Sequence, residues 1–133
     1  MKAITILQPY AGLIAEGIKT IETRSQLTNY RGPIAIHAGK STRALLLMSK
    51  PVKEIIRKEG LNPDSMKDLC GQVIATAELV DCVKIDNNFV RELSQTELLL
   101  GDYNAGRYAW ILKCVGKIKP VSARGQLGLW NWN

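Results

Sequence analysis

The segment "GIKTIETR" (Gly17–Arg24) places charged and hydroxyl side chains at a spacing that could form a site. If the chain is extended after the glycine, Glu22 and Arg24 lie on one side, because side chains two residues apart share a face of a strand. Thr20 shares that face, and Lys19 lies on the opposite one. A guanidinium holds a neighbouring carboxylate ionised and oriented, so Glu22 could accept a hydrogen bond from a base amino group.

The same segment could instead be an ordinary solvated surface. An exposed Glu–Arg pair contributes at most about 1 kcal/mol to stability. Lys19, in the turn after Gly17, could extend its ammonium toward a phosphate or toward the same pocket. The pattern alone leaves a ligand site and a surface ion pair both open.

Further candidate residues lie at the start of the first predicted helix. Gln8 and Tyr10 occur where free backbone N–H groups favour anions. Gln8 offers an amide for base edges and Tyr10 a ring for stacking, although Tyr10 could also only pack the helix. His37, the only histidine, follows an apolar strand and is predicted to be structural rather than a general base.

The C-terminal third adds basic and aromatic residues. Tyr108 and Trp110 share one face of a predicted strand, and a tryptophan in a small barrel is expected in the core. Basic residues with interleaved aromatics on an exposed face would suit single-stranded RNA, whose bases are unstacked. Two glycines either make a turn or let the backbone approach a ligand closely. The residues concerned are Arg107, Tyr108, Trp110, Gly125, Gly128, Trp130 and Trp132.

The elements that must position these residues follow from periodicity and turn signals. The first half predicts strands at 2–7 and 34–38, a helix from Pro9 to Gly17, and helical segments at 42–49 and 52–58 with a break near Pro51 and a stop at Gly60. The second half predicts strands at 71–85 and 106–121, the latter bent at Gly116, and short helices within 87–102 with a Ser94–Glu97 capping box. Long strands separated by helices favour a curled or closed sheet, so we predict an α+β fold, a small β-barrel with flanking α-helices.

Length and composition bound the class of protein. The chain has 133 residues, which fits one domain over residues 1–133. No apolar run is long enough for a signal peptide or membrane span, so we expect a cytoplasmic protein without membrane association. Three cysteines without a CxxC pair and one histidine predict neither a disulfide framework nor a metal site, and we expect no cofactor.

Charge is distributed unevenly along the chain. Residues 1–50 contain seven Lys or Arg and two acidic residues, whereas residues 51–102 contain six and ten. Residues 103–133 contain five Lys or Arg and no acidic residue. If the two ends meet in space, they would form one positive face suited to a polyanion; if they do not, the charges only keep the protein dispersed.

Five sequence blocks in order resemble the ASCH domain, a family named for the activating signal cointegrator and placed in the PUA-like superfamily. The blocks are "QPYAGLIAEGIKTIETRS", "RGPIAIHAGK", "GQVIATAELVDC", "GRYAWIL" and "GQLGLWNW". The family signature GxKxxExR is matched by Gly17, Lys19, Glu22 and Arg24. The resemblance implies a PUA-like β-barrel whose cleft, between the first helix and the barrel, meets RNA or another nucleic acid.

Three functions are compatible with these observations. The first is a nucleic-acid-binding module, with Lys19, Arg24 and Arg107 neutralising phosphate. The second is a small metal-independent hydrolase with Lys19 and Glu22 as catalytic groups, since some similar proteins act on acetylated cytidine nucleosides and others have been considered ribonucleases. The third is a protein-interaction domain without an active cleft.

The hydrolase hypothesis meets one departure from the family pattern. The amidohydrolase branch has a threonine three residues after the lysine, where this chain has Glu22, and Thr23 follows on the opposite face. A further carboxylate could come from Glu78 or Glu97, and the sequence does not decide between them. Across the first two functions, the expected partner is RNA, another single-stranded nucleic acid or a modified nucleoside. The sequence leaves the oligomeric state open.

Overall fold

The computed structural model describes all 133 residues as six strands and six helices. The strands are β1 (Lys2–Ile6), β2 (Ile21–Arg24), β3 (Gly32–Ala38), β4 (Gln72–Lys84), β5 (Tyr108–Ser122) and β6 (Leu129–Asn131). The helices are α1 (Tyr10–Ala15), α2 (Arg43–Leu46), α3 (Lys50–Lys58), α4 (Pro63–Asp68), α5 (Asn87–Arg91) and α6 (Gln95–Leu99).

All six strands belong to one curled sheet in the order β2-β5-β4-β3-β1-β6. Neighbouring strands are antiparallel except β1 and β3, which are parallel. Parallel neighbours need a long crossover, and α1 with β2 lies within it. The predicted α+β fold, a barrel-like sheet with flanking helices, is confirmed.

The two long strands pair along most of their length and form the centre of the sheet. Their register shifts at three places, and at one of them, opposite Ala77, Cys114 adopts a positive φ of 54°. Gly116 itself pairs with Thr76, and register shifts lie on both sides of it, so the bend expected at Gly116 stays a prediction within an irregular part of the strand.

The main core lies between α1 and the sheet. It contains Ile4, Ile14, Ile36, Leu79 and Trp110 among thirteen buried residues. Trp110 is 4% exposed, so its predicted place in the core is confirmed. A second cluster, centred on Leu13, Ile56 and Met66, packs α3 and α4 against the other side of α1. The helix is thus held from two sides, which fixes the segment that follows it.

The helical region around Pro51 differs from the prediction. The helix expected at 42–49 is only the four-residue α2, and Pro51 lies inside the first turn of α3 rather than at a break. Proline is tolerated there because first-turn N–H groups have no partner within the helix. Ser49 caps α3, and Gly60, with φ of 70°, follows its end as predicted.

None of the helices has the length and apolar character needed to cross a membrane.

Candidate functional site

The Gly17–Arg24 segment follows α1 and includes the edge strand β2. Gly17 has a φ of 76°, a conformation that glycine adopts readily, and it reverses the chain after α1. The Lys19 amide then donates to the Leu13 carbonyl oxygen at 3.1 Å. From Ile21 onward the chain pairs with β5. The signature residues are therefore fixed by a helix end on one side and a strand ladder on the other.

Lys19 is buried and paired with Glu97. Its side chain is 1% exposed, and Nζ lies 3.2 Å from Glu97 Oε2. Tyr103 donates its hydroxyl to the same oxygen at 3.1 Å. The other oxygen, Oε1, accepts from the Thr20 amide at 2.8 Å and from the Thr20 hydroxyl at 3.2 Å. Four donors hold this carboxylate in one orientation.

Thr20 and Lys19 thus contact the same carboxylate, although a fully extended segment would put them on opposite faces. The reason is that β2 begins only at Ile21, so residues 19 and 20 still belong to the turn. The alternation predicted for the segment holds from Ile21 onward and is wrong before it.

A small cavity of about 370 Å³ opens beside the Lys19 ammonium. The ammonium has three donors and only one acceptor, Glu97, among the residues around it. At Gly101 an added Cβ would lie 2.8 Å from the Tyr103 ring and 3.4 Å from Lys19 Nζ, so any larger residue there would crowd the site. Besides two leucines at the end of α6, the lining consists of Tyr10, Lys19, Glu22, Thr23, Gly101 and Asp102.

Glu22 brings a second carboxyl group to this cavity. Arg24 Nε donates to its Oε2 at 2.9 Å, which is the pair that the strand alternation predicts. Burial raises the pKa of Glu22 above its usual range, although Arg24, Lys19 and Arg107 oppose the shift. The Arg24 guanidinium also donates to the Thr5 carbonyl oxygen at 2.7 Å, and so ties edge strand β2 to β1 across the opening of the sheet.

The predicted ligand-binding residues occupy different layers around the cavity. Tyr10, Lys19 and Glu22 line it. Thr20 and Arg24 lie behind them, each bonded to a carboxylate of the site. Arg107 lies at the rim, where it donates to the carbonyl oxygens of Asp102 at 3.2 Å and of Thr23 at 3.3 Å.

Gln8 and Tyr108 lie outside the cavity. The Gln8 side chain is fully buried: its Oε1 accepts from the Gly12 amide at 2.7 Å, and its Nε2 donates to the Met66 carbonyl oxygen at 3.0 Å. Gln8 therefore joins the start of α1 to α4. Tyr108 is half-buried and packs against the main core. Of the two carboxylates left open by the sequence, Glu97 enters the site, whereas Glu78 lies opposite Lys113 in β5.

Two residues of the site had weak or misleading sequence signals. Glu97 occupies the third position of a capping box, and Ser94 Oγ does accept its amide at 3.1 Å. Its carboxylate, however, turns away from the helix start toward Lys19, so the local pattern conceals a long-range contact. Tyr103 has no local signal. Burial and the neighbouring Glu97 carboxylate raise the pKa of its phenol, which keeps the hydroxyl a donor at neutral pH.

The described residues contain no group of three or more His, Cys, Asp or Glu side chains that could hold a metal ion. The cavity is lined by the Lys19 ammonium, the Tyr10 phenol and the carboxyl groups of Glu22 and Asp102, with the guanidinium groups of Arg24 and Arg107 next to them. Such a set can donate to and accept from a small polar ligand, and it can exchange a proton through Glu22.

Comparison with known proteins identifies a family and several similar solved structures. A family model described as the ASCH domain matches residues 4–122. An ASCH protein from Zymomonas mobilis is 19% identical, with a TM-score of 0.58 over 99% of this chain and 87% of that one. A tyrosine-to-phenylalanine variant of that protein gives 21% identity, a TM-score of 0.58 and coverages of 99% and 89%. At these identities the likeness concerns the fold. None of the curated proteins matches the chain.

Proposed function

Because the chain belongs to the ASCH domain family, whose PUA-like fold is often linked to RNA binding, we propose that it is a nucleic-acid-binding module. Its ligand is single-stranded RNA, and the cavity beside Lys19 and Glu22 receives one unstacked base. Lys19 donates to a base carbonyl or ring nitrogen, and Glu22 accepts from a base amino or imino group.

The observation that carries this proposal is the pairing of a donor and an acceptor in one cavity. The buried Lys19 ammonium has unused donors, and the Glu22 carboxyl lies beside the same space. Base edges present acceptors and donors side by side, as cytosine does with its ring nitrogen and amino group. Tyr10 adds an aromatic ring to the lining, which suits stacking.

The size of the cavity favours a single base over a duplex. Its volume of about 370 Å³ lies at the lower end of small-molecule pockets, which range from about 300 to 1,000 Å³. A base can enter such a space only when it is unpaired and turned away from its neighbours. Single-stranded RNA, or a loop within a folded RNA, meets that condition.

A hydrolase acting on acetylated cytidine nucleosides or on RNA is the second candidate, and Glu22 is the observation in its favour. A carboxyl group whose pKa is raised by burial can transfer protons closer to neutral pH. Lys19 fits this reaction less well as a nucleophile, since its Nζ is already bonded to Glu97 Oε2 at 3.2 Å. Thr23 Oγ1 already accepts the Asp102 amide at 3.3 Å, so its hydroxyl is partly engaged.

The experiment that separates the two functions compares Glu22→Gln with Glu59→Gln, a matched change at an exposed site. Binding of short labelled homopolymeric RNAs and turnover of N4-acetylcytidine are followed on the same samples. For the binding module we expect no product, and an affinity about tenfold lower in Glu22→Gln only. Product formation that Glu22→Gln abolishes would establish the hydrolase instead. Equal RNA affinity in both variants would refute the base site.

A further inference from the structure

A second and larger groove is lined in part by Thr5, whose carbonyl oxygen accepts from Arg24. Its volume is about 1080 Å³, and it is formed by the end of β1, the turn after β3 and the segment between β5 and β6. Lys40 and Arg124 line it, and no acidic residue does. These two cations come from the two basic ends of the sequence, so the fold joins both ends at this groove.

The cations of the groove are free to bind a ligand. Lys40 and Arg124 are exposed, and neither side chain forms a salt bridge or hydrogen bond within the chain. Arg43, one turn further along, is exposed beside Lys40 and is likewise unpaired. By contrast, Arg107 and Lys117 both have carboxylate partners elsewhere on the molecule. The groove is thus a place where positive charge is left uncompensated.

The segment that carries Arg124 is seated on buried polar side chains. His37 Nε2 lies 2.7 Å from the Ala123 carbonyl oxygen, which can only accept, so Nε2 carries the proton. In the neutral ring, Nδ1 then accepts from Thr5 Oγ1 at 3.2 Å, and Thr5 in turn accepts from Trp130 Nε1 at 3.1 Å. His37 is 1% exposed. This chain of hydrogen bonds, hereafter the His37 relay, fixes the loop at Ala123.

Gly125 is needed for that seating. An added Cβ would lie 2.8 Å from Thr5 Oγ1 and 2.9 Å from His37 Cε1, so only glycine lets the backbone approach this closely. The amides of residues 124–127 have no backbone acceptor. A fixed loop with free N–H groups, next to two unpaired cations, is the arrangement that binds phosphate oxygens.

We propose that this groove is a second site, which binds phosphate groups of the RNA strand whose base enters the cavity. The inference rests on the proposed function for its ligand. Arg24 connects the two sites, since it contacts Glu22 of the cavity and the Thr5 carbonyl oxygen at the edge of the groove. One strand therefore runs from the cavity past Arg24 into the groove, where Lys40 and Arg124 neutralise phosphates.

The first test observes the groove directly by NMR. His37 is the only histidine, so its ring signals and the amide signals of residues 124–127 report on the loop. We expect oligouridine to shift these signals at far lower concentration than uridine monophosphate or inorganic phosphate, with sodium chloride of equal ionic strength having no effect. Equal potency of the monophosphate and the strand would overturn the assignment to RNA. Shifts no larger than those from chloride would overturn the phosphate site itself.

The second test measures the salt dependence of oligouridine binding. A Lys40→Gln/Arg124→Gln variant changes only exposed side chains, and Lys53→Gln/Lys58→Gln, which removes the same charge from α3, is the matched control. Each lost phosphate contact lowers the slope of log Kobs against log salt by about 0.7 for single strands, so we expect a decrease of about 1.4 in the double variant. An unchanged slope would refute the groove.

Failure of the groove and failure of the base cavity can be told apart. If Glu22→Gln weakens binding while the double variant keeps the wild-type slope, the base cavity stands and the groove is refuted. If the double variant loses slope while Glu22→Gln binds normally, the groove stands and the base cavity is refuted.

Discussion

Glu22 places an ionisable group where ionisation is costly. Burial raises its pKa above the ordinary value of 4.5, and the attraction of Arg24 and Lys19 only partly offsets this. The native state therefore holds a proton at pH values where the unfolded chain has lost it. Stability contributed by that proton is present below the unfolded pKa and is lost as pH rises through the folded one.

We expect Glu22→Gln to remove this loss of stability at rising pH, because glutamine does not ionise. The difference in unfolding free energy, variant minus wild type, should increase as pH rises from about 4 to about 7. The RNA affinity of the variant should be lower than that of the wild type. Urea titrations of both proteins across this range provide the measurement. A variant that is less stable at neutral pH than at acid pH, relative to wild type, would show that Glu22 is an ordinary structural ion-pair partner.

Lys19 and Glu97 form a buried ion pair, and removal of one partner should lower the free energy of unfolding strongly. We expect Lys19→Met to cost about 3–5 kcal/mol, because it leaves a buried carboxylate without its counter-charge. Adding Glu97→Gln should recover part of that loss. Urea denaturation of the two single variants and the double variant gives the coupling, with exposed Lys53→Met as the control. Strictly additive losses would mean that the two side chains do not interact energetically.

At the level of elements, the short helix α6 carries Glu97 into the site. Ser94 Oγ accepts the Glu97 amide and so fixes the first turn. We expect Ser94→Ala to cost about 1 kcal/mol and to weaken RNA binding, since the carboxylate that orients Lys19 loses its support. Ser94→Asp keeps the cap and should restore both properties. Unchanged RNA affinity in folded Ser94→Ala would show that α6 and the cavity are independent.

Gln8 acts between α1 and α4 rather than in the cavity. Gln8→Met leaves the Gly12 amide without its acceptor, so we expect a loss of about 1–3 kcal/mol in unfolding free energy. RNA affinity of the folded variant should match that of the wild type. Thermal unfolding and binding measurements on the same samples check both points. A variant of normal stability with weakened binding would return Gln8 to the ligand site.

At the level of the whole molecule, the last strand completes the sheet outside the region matched by the family model. The match ends at residue 122, whereas β6 pairs with β1 and inserts Trp130, which is 6% exposed, into a cluster with Ala3 and Val73. Trp130 also supports the His37 relay through Thr5. Trp130 therefore supports both the edge of the sheet, through β6, and the groove, through Thr5.

Deleting residues 129–133 should cost at least about 3–5 kcal/mol, the usual loss for a buried tryptophan, and should expose the edge of β1. Circular dichroism during urea unfolding measures the effect, and deletion of Asn133 alone is the control. A truncated chain that unfolds at the wild-type urea concentration would show that β6 only covers the sheet.

Much of the fold could be predicted because its signals are local. Alternation over residues 71–85 and 106–121 indicated the long strands, and Gly60 and the Ser94 cap marked real helix boundaries. The error at Pro51 arose where a residue type permits two outcomes. Proline suits both a break in a helix and the first turn of one.

The sequence by itself determined the family, the α+β fold class and the Glu22–Arg24 pair, since each is visible in short motifs and periodic segments that can be read without knowing how they pack. Only the tertiary structure decided that Glu97, 78 residues from Lys19, is its partner, that Gln8 is a structural tie, and that Lys40 meets Arg124 in one groove. The physical reason is that alternation and capping are short-range, whereas the pairing of buried charges depends on which surfaces the packed sheet and helices bring together.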